Sequence, residues 1–197
     1  MNINYFDALS KLPSPLGRRA GDEGENESID LQVSRFLAAQ AIMLSLIGVP
    51  GIYFHSLFGS RGWMEGVKLT GHNRTINREK LRLDPLERDL ADSTSLRYKV
   101  FTNYSKLLLT RMSTPAFHPH GSQTVLDLHP SIFALERLSP DGNSHALCLH
   151  NVSKEQVSFS TSYKSATDLF TGQEVQISKV TLEPYQVMWL KPYSVVE

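Results

Sequence analysis

The run Ile52-Tyr53-Phe54-His55 is the feature that most constrains what this chain can fold into. It places β-branched and aromatic residues in succession without polar alternation, and Val49-Pro50-Gly51 turns the chain into it. This pattern predicts a short strand of a parallel sheet that is covered by helices on both faces. Such a strand needs sister strands on either side of it.

The sequence around this strand predicts helices but no sister strands. Residues 30–47 are apolar almost all the way round and end at Gly48, which predicts a helix buried against more than one neighbour. Residues 95–112 repeat apolar side chains at the helical interval and end before Thr114-Pro115, which predicts a second helix. Either another chain supplies the missing sheet, or this sequence is the tail of a larger α/β protein.

After Pro119 the sequence changes to short apolar runs separated by turn-forming residues such as Pro140-Asp141-Gly142-Asn143. This spacing predicts an antiparallel sheet or sandwich that begins near residues 117–121. The fold class is therefore α/β followed by all-β. The predicted strands are residues 124–128, 132–138, 146–151, 156–159, 166–170, 175–177 and 185–190.

Composition narrows the possible partners. The chain has 197 residues, of which 41% are hydrophobic, and its 20 Lys and Arg balance 20 Asp and Glu. A chain without a basic excess is not expected to bind nucleic acid or an anionic membrane. The amino end lacks a signal peptide, and residues 38–47 are too short for the roughly 20 residues of a membrane helix, so we expect a cytoplasmic protein.

Local patterns supply few catalytic arrangements. Residues 10–30 combine prolines, glycines and an acidic cluster at residues 22–27, which predicts a solvated surface loop. His118-Pro119-His120 has no third ligand nearby in sequence, so a turn is favoured over a metal site. The single cysteine, Cys148, lies between two leucines and is predicted to be a buried, unreactive thiol.

The segment after the predicted strand, residues 56–80, is expected to be a long loop of functional type. In parallel α/β folds ligands bind at the carboxyl ends of strands, which makes His55, Ser56, Arg74 and Arg78 candidate binding residues. An arginine offers a fixed fork of donors for hydroxyls, carboxylates or phosphate. The alternative is an ordinary surface loop with salt bridges.

Several of these segments resemble one enzyme family. The Gly48-x-Pro50-x-x-Tyr53 pattern and the helix before it resemble the end of the catalytic barrel in the α-amylase superfamily. With His55-Ser56-Leu57-Phe58-Gly59-Ser60 and Arg74-Thr75-Ile76-Asn77-Arg78, they resemble its sucrose phosphorylase-like subfamily. The likeness continues through residues 107–118 and 147–153, and so covers nearly the whole chain.

The resemblance implies a fold that explains the missing sheet. Residues 1–117 would be the incomplete carboxyl-terminal end of a (β/α)8 barrel, with its last helix, eighth strand and final helix. Residues 118–197 would be the small antiparallel β domain that follows the barrel. The barrel strands that carry the catalytic aspartate, glutamate and second aspartate would then lie upstream of Met1.

The resemblance also implies an activity. The parent would be a retaining glycoside phosphorylase, a hexosyltransferase that moves a glucosyl group between an α-glucoside and inorganic phosphate without a cofactor or metal. Arg74 matches the family arginine that holds the glucosyl unit, and Arg78 would shape the same loop. His55 and Ser56 line the loop by position only, and no catalytic residue is assigned within this chain.

Two other interpretations remain open at this point. The chain could be a non-catalytic β module with an attached helical segment that binds carbohydrate or a partner chain. It could also be one half of a split enzyme that completes a barrel made by a separate subunit. In any isolated preparation of the chain, we expect apolar residues of the predicted helix and strand to be exposed. This predicts self-association or binding to the missing barrel segment. The acceptor, whether fructose, fructose phosphate or glycerate, is not specified by this sequence.

Overall fold

A computed structural model of the chain describes residues 3–10 and 27–195. The chain divides into two compact units, one of Met1–Phe36 with Ile52–Asn103 and the other of Leu37–Gly51 with Tyr104–Glu197. The division at residue 117 that the resemblance implies stays a prediction. Within the described part of the chain, no helix is long and apolar enough to cross a membrane.

The regular elements of the first unit are all helices within its described residues. Its regular elements are α1 (Tyr5–Leu9), the first turns of α2 (Ile29–Ser45), α3 (Phe54–Leu57), α4 (Met64–Thr70), a 3-10 helix (Asn73–Asn77), α5 (Leu83–Ala91) and the first turns of α6 (Leu96–Ser113). The two long helices predicted at residues 30–47 and 95–112 are confirmed as α2 and α6 with shifts of one or two residues at their ends.

The predicted strand at residues 52–55 was wrong. Ile52 and Tyr53 lie outside regular structure, and α3 begins at Phe54, with the Ser56 amide donating to the Tyr53 carbonyl at 2.9 Å. A parallel strand takes its backbone hydrogen bonds from neighbouring strands, and the described residues of this unit contain none. The backbone therefore closes its hydrogen bonds locally, and Tyr53 and Phe54 are about half exposed, at 50% and 54%.

The predicted long loop at residues 56–80 was also wrong, because α4 and the 3-10 helix occupy much of it. Gly71 ends α4 in the left-handed conformation, with φ 69°, and its amide donates to the Val67 carbonyl at 2.9 Å. The indole of Trp63 lies directly over Gly66, where a Cβ atom would come within 2.1 Å of the ring. The glycines that suggested a loop thus have other roles: Gly71 caps a helix, and Gly66 allows a close ring contact.

The second unit is built on antiparallel strands, as predicted. The strands are β1 (Ser122–His129), β2 (Ile132–Leu138), β3 (His145–Asn151), β4 (Val157–Ser160), β5 (Tyr163–Asp168), β6 (Glu174–Gln176), β7 (Lys179–Leu182) and β8 (Val187–Val195). A six-stranded sheet has the order β1-β2-β3-β8-β5-β6, and a separate ribbon pairs β4 with β7. Seven strands match predicted runs, and β7 was not predicted.

One hydrophobic cluster fills the core of this unit. It joins side chains from the large sheet, such as Leu147 and Leu190, to side chains from the ribbon, such as Phe159 and Leu182. Alternate residues of the central strands form a second layer around Trp189, whose ring packs against Phe117 at 4.7 Å between centroids. Cys148 is fully buried in β3, which confirms its predicted burial, and burial raises the pKa of its thiol, as expected for an unreactive cysteine.

Two buried arginines hold the carboxyl-terminal end of α2. Arg111 donates to the carbonyls of Leu44 and Gly48, the latter at 2.7 Å, and Arg137 donates to the Ser45 carbonyl at 2.9 Å. The side chain of Arg137 is wholly buried and also donates to the Ser122 and His118 carbonyls at 3.0 and 2.9 Å. A helix carboxyl end leaves carbonyls without partners and a partial negative charge, so both guanidinium groups are suited to cap it.

Candidate functional site

The candidate residue His55 lies in α3 and is buried, with 9% of its surface exposed. Its Nδ1 lies 3.2 Å from the Ser60 hydroxyl oxygen, which accepts a hydrogen bond from Arg97 at 3.2 Å. Arg97 in turn pairs with Asp89 at 3.1 Å. Burial lowers the pKa of His55, and the Arg97 charge lowers it further against the opposite effect of Glu79. The imidazole is thus held in a fixed orientation and favoured in its neutral form near pH 7.

His55 and Ser56 line the same cavity, which has a volume of about 270 Å³. Aromatic rings and small polar side chains form its walls, and among the described residues that line it there is no aspartate, glutamate, lysine or arginine. The remaining lining residues are Ile3, Asn4, Tyr5, Phe6, Ala8, Phe36, Tyr53, Ser60 and Asn77. The structure therefore brings two of the four predicted binding residues together in an uncharged cavity.

The two predicted arginines lie elsewhere on the first unit. Arg74 is exposed in the 3-10 helix, and Arg78 is the exposed residue that ends it. Neither lines the cavity of His55, and neither guanidinium has a hydrogen-bond or ion-pair partner among residues 3–10 and 27–195. Both are free to donate to a ligand.

Asn77 is a cavity residue that the sequence analysis did not select. Its side-chain Oδ1 is buried and accepts no hydrogen bond from the described residues. Its backbone carbonyl accepts a hydrogen bond from the Tyr53 hydroxyl, which fixes the segment against the cavity wall. Its place between Ile76 and Arg78 in the quoted motif is a signal that could have drawn attention to it.

A second, larger cleft of about 620 Å³ lies in the same unit and shares Ser60 with the first cavity. It is lined by both cations and carboxylates, among them Arg61, Arg97, Glu65 and Glu79. Trp63 also lines this cleft. As far as residues 3–10 and 27–195 line them, the two neighbouring cavities differ in charge, since the larger has ionic side chains and the smaller has none.

The described carboxylates of the amino end have structural partners. Asp7 accepts from Arg61 at 3.1 Å through one oxygen and from the Gly62 amide at 2.7 Å through the other. Glu27 forms an ion pair with Arg35 and is not solvated, so that part of the predicted acidic loop was wrong. The rest of the acidic cluster lies outside the described residues. In residues 3–10 and 27–195, no group of three or more His, Cys, Asp and Glu side chains is placed to hold a metal ion.

Three curated proteins match this chain over nearly all of its length. It is 42% identical over 209 aligned positions to the glucosylglycerate phosphorylase of Spirochaeta thermophila, which covers 98% of this chain and 33% of that protein. The glucosylglycerate phosphorylases of Escherichia coli and Allomeiothermus silvanus are 36% and 39% identical, covering 97% and 95% of this chain. The chain is similar to glucosylglycerate phosphorylases from end to end. It spans about a third of the length of the relatives it matches.

Solved structures of amylase-family enzymes share the fold. AmyP in complex with maltose has a TM-score of 0.60 at 15% identity, covering 87% of this chain and 36% of its own. The isomaltulose synthase of Klebsiella sp. LX3 has a TM-score of 0.58 at 17% identity, covering 81% and 38%. At these identities the likeness concerns the fold alone. No protein-family model matches the chain.

Proposed function

We propose that this chain is the carboxyl-terminal part of a retaining glycoside phosphorylase that transfers a glucosyl group between an α-glucoside and inorganic phosphate. The observation that carries the proposal is the 42% identity to a glucosylglycerate phosphorylase over 98% of the chain. Among the acceptors that the sequence left open, the names of the three relatives favour glycerate.

The proposed reaction is a double displacement. A carboxylate attacks the anomeric carbon and the bond to the leaving oxygen breaks, while a carboxylic acid gives that oxygen its proton. A phosphate oxygen then attacks the same carbon and releases the carboxylate, giving glucose 1-phosphate with the original anomeric configuration. We assign both carboxyl groups to the part of the relatives that this chain does not span, as the family resemblance implies. Asp7 is not a candidate, since its two oxygens are already bound by Arg61 and Gly62.

In this proposal the chain contributes binding groups. Arg74 donates to the glucosyl hydroxyls, and Arg78 shapes the segment that carries it. Both guanidinium groups are exposed and unpaired within the described residues, so a ligand does not have to displace a salt bridge. His55 and Ser56 act from the neighbouring uncharged cavity.

The proposed barrel would also supply the partners that residues 52–55 lack. Residues 1–117 would complete a (β/α)8 barrel with an upstream segment, and Ile52 and Tyr53 would gain neighbouring strands. The exposed side chains of Tyr53 and Phe54 support this, because an upstream segment packed against them would cover them. We expect the isolated chain to be inactive and to associate with itself or with that segment.

The test measures glucose 1-phosphate release from glucosylglycerate and from sucrose. The 197-residue chain is assayed alone, and again after refolding together with the upstream two-thirds of a relative. Activity only in the mixture supports the proposal, and the preferred glucoside identifies the acceptor. Activity of the chain alone would show that its own carboxylates suffice and would overturn the assignment of catalysis to upstream polypeptide.

If the mixture releases no glucose 1-phosphate although the two parts bind each other, the phosphorylase proposal would be overturned. If the chain then binds carbohydrate as a monomer, the non-catalytic module becomes the better interpretation.

A further inference from the structure

Asp7 connects helix α1 to a segment that lies 54 and 55 positions further along the chain. The residue is buried. One of its carboxylate oxygens accepts from the Arg61 guanidinium at 3.1 Å, and the other accepts from the Gly62 amide at 2.7 Å. A buried carboxylate is costly unless donors satisfy it, so these two contacts hold the segment of Arg61 and Gly62 against α1.

Arg61 makes two further contacts in the same unit. A second nitrogen of its guanidinium donates to Gln32 Oε1 at 2.7 Å, and the guanidinium carbon lies 5.1 Å from the centroid of the Phe6 ring. Phe6 precedes Asp7 on α1, so two successive residues of this helix contact one arginine. Such an arrangement is better fixed than an isolated surface ion pair, which contributes little.

Residues 62 and 63 lie directly against the 3-10 helix that carries Arg74. The Trp63 amide donates to the Ile76 carbonyl at 2.8 Å. A Cβ atom at position 62 would come within 2.9 Å of the Ile76 side chain, which is buried, so a glycine is needed for this close approach. Asp7 therefore holds Gly62, and Gly62 and Trp63 contact the residue two positions after Arg74.

We propose that Asp7 is a positioning residue for Arg74, which acts through Gly62, Trp63 and Ile76 to set the direction in which the 3-10 helix presents the Arg74 guanidinium. The inference rests on the proposed function, because it takes Arg74 as the group that binds the glucosyl unit. Arg74 has no ion-pair partner among residues 3–10 and 27–195, so its placement depends on the backbone that carries it. Asp7 itself does not touch the substrate.

The test is a double-mutant cycle in the enzyme reconstituted from this chain and the upstream two-thirds of a relative. Asp7→Asn keeps the size of the side chain but removes its charge and one acceptor oxygen, so we expect kcat/KM for glucoside phosphorolysis to fall about tenfold. In the Arg74→Lys chain, which has already lost the fork of donors, the same change should lower kcat/KM less than about twofold. Asp84→Asn, at an exposed position on α5, should leave kcat/KM unchanged in both chains.

The cycle separates positioning from a general loss of structure. A change that only reduced the amount of folded enzyme would lower activity by the same factor in the parent and in the Arg74→Lys chain, because the two effects would be independent. Equal factors would overturn the proposal, and so would an Asp7→Asn enzyme as active as the parent. An inactive parent mixture would instead count against the proposed function.

Acrylamide quenching of tryptophan fluorescence measures the positioning step in the 197-residue chain without any enzymatic activity. The chain has two tryptophans, and Trp189 is fully buried, so the quencher reports mainly on the partly exposed Trp63. We expect Asp7→Asn to raise the quenching constant at least about 1.5-fold, because the segment of Gly62 and Trp63 opens more often. Asp84→Asn should leave it unchanged. A constant equal to that of the parent in the Asp7→Asn chain would show that this segment keeps its place without Asp7, which would overturn the proposal.

Discussion

Arg74 and Arg78 differ from four other arginines of the described chain in what surrounds them. Arg111 and Arg137 are buried and bound to backbone carbonyls, and Arg61 and Arg97 are paired with carboxylates. These four guanidinium groups stabilise the fold through those bonds. The two exposed guanidinium groups have no such task within the described residues, which is why they are suited to a ligand.

The first prediction concerns Arg74 in the reconstituted enzyme. Arg74→Lys keeps the charge but loses the planar fork of donors, so we expect kcat/KM for glucoside phosphorolysis to fall at least tenfold. Arg82→Lys is the matched control, since Arg82 is also exposed in the same unit and without a side-chain ion pair in the described structure. Equal kinetics for the two variants would remove Arg74 from the proposed binding site.

The second prediction concerns the buried guanidinium of Arg137. Arg137→Met leaves the carbonyls of Ser45, His118 and Ser122 without their donor in the interior. Since hydrogen bonds from a charged donor contribute about 1.5–3 kcal/mol each, we expect the free energy of unfolding to fall by at least about 3 kcal/mol in chemical denaturation. Lys164→Met, an exposed site on β5, should change it by less than about 0.5 kcal/mol.

At the scale of elements, strands β2, β3 and β8 enclose a neutral histidine. His150 is fully buried, its Nδ1 lies 2.9 Å from the Phe133 carbonyl, and its Nε2 accepts from the Trp189 indole at 3.3 Å. With Nδ1 as donor and Nε2 as acceptor, both ring nitrogens are satisfied only in the uncharged form. Burial therefore lowers the pKa of His150 from 6.5 to about 4.

The third prediction is the pH dependence that follows. The unfolded chain takes up a proton near pH 6.5 and the folded chain only near pH 4, so the stabilisation is complete above pH 6.5 and is lost as the pH falls towards 4. We expect a loss of about 3 kcal/mol over that interval, at about 1.4 kcal/mol per pH unit. Burial of His55 acts in the same direction.

Denaturant titrations at four values between pH 7 and pH 4 measure this loss. His150→Gln should flatten most of the dependence, whereas the exposed His120→Gln should leave it intact. A parent chain with constant stability over this range would contradict the assignment of a neutral, buried His150.

At the scale of the whole molecule, several large apolar side chains are exposed, among them Tyr53, Phe54, Ile47 and Val49 at 50%, 54%, 51% and 82%. Exposed apolar side chains favour association between molecules when they lie together on the surface. The fourth prediction is that the isolated chain forms oligomers whose size rises with concentration in sedimentation velocity.

Substitutions at single exposed positions test which apolar side chains drive oligomer formation. Phe54→Glu should reduce oligomer formation, and Val125→Glu, at another exposed apolar position, should reduce it less. A monomer at all concentrations that fails to bind a hydrophobic dye would contradict it.

Some elements of the fold could be predicted from the sequence and others could not. Helices α2 and α6 were predictable because a helix satisfies its backbone within its own segment, and the antiparallel strands because turn residues separate them. Residues 52–55 were mistaken for a strand because the partners that would make them one are not among the described residues. Asn77 lies in the quoted motif, but the burial of its side-chain oxygen could not be predicted from the sequence, since it depends on how the fold packs that segment.

The capping of α2 by arginines has a consequence for folding during synthesis, because the capping side chains are made after the helix. The last turn of this helix receives its hydrogen bond from Arg137, which is 92 positions away from Ser45. At a ribosome speed of about 5–20 residues per second, the helix end waits about 5 to 18 seconds for that side chain to be synthesised. A gene fusion or truncation that separates residues 37–51 from the strands would remove the cap permanently, so a useful breakpoint in this gene has to keep both on one polypeptide.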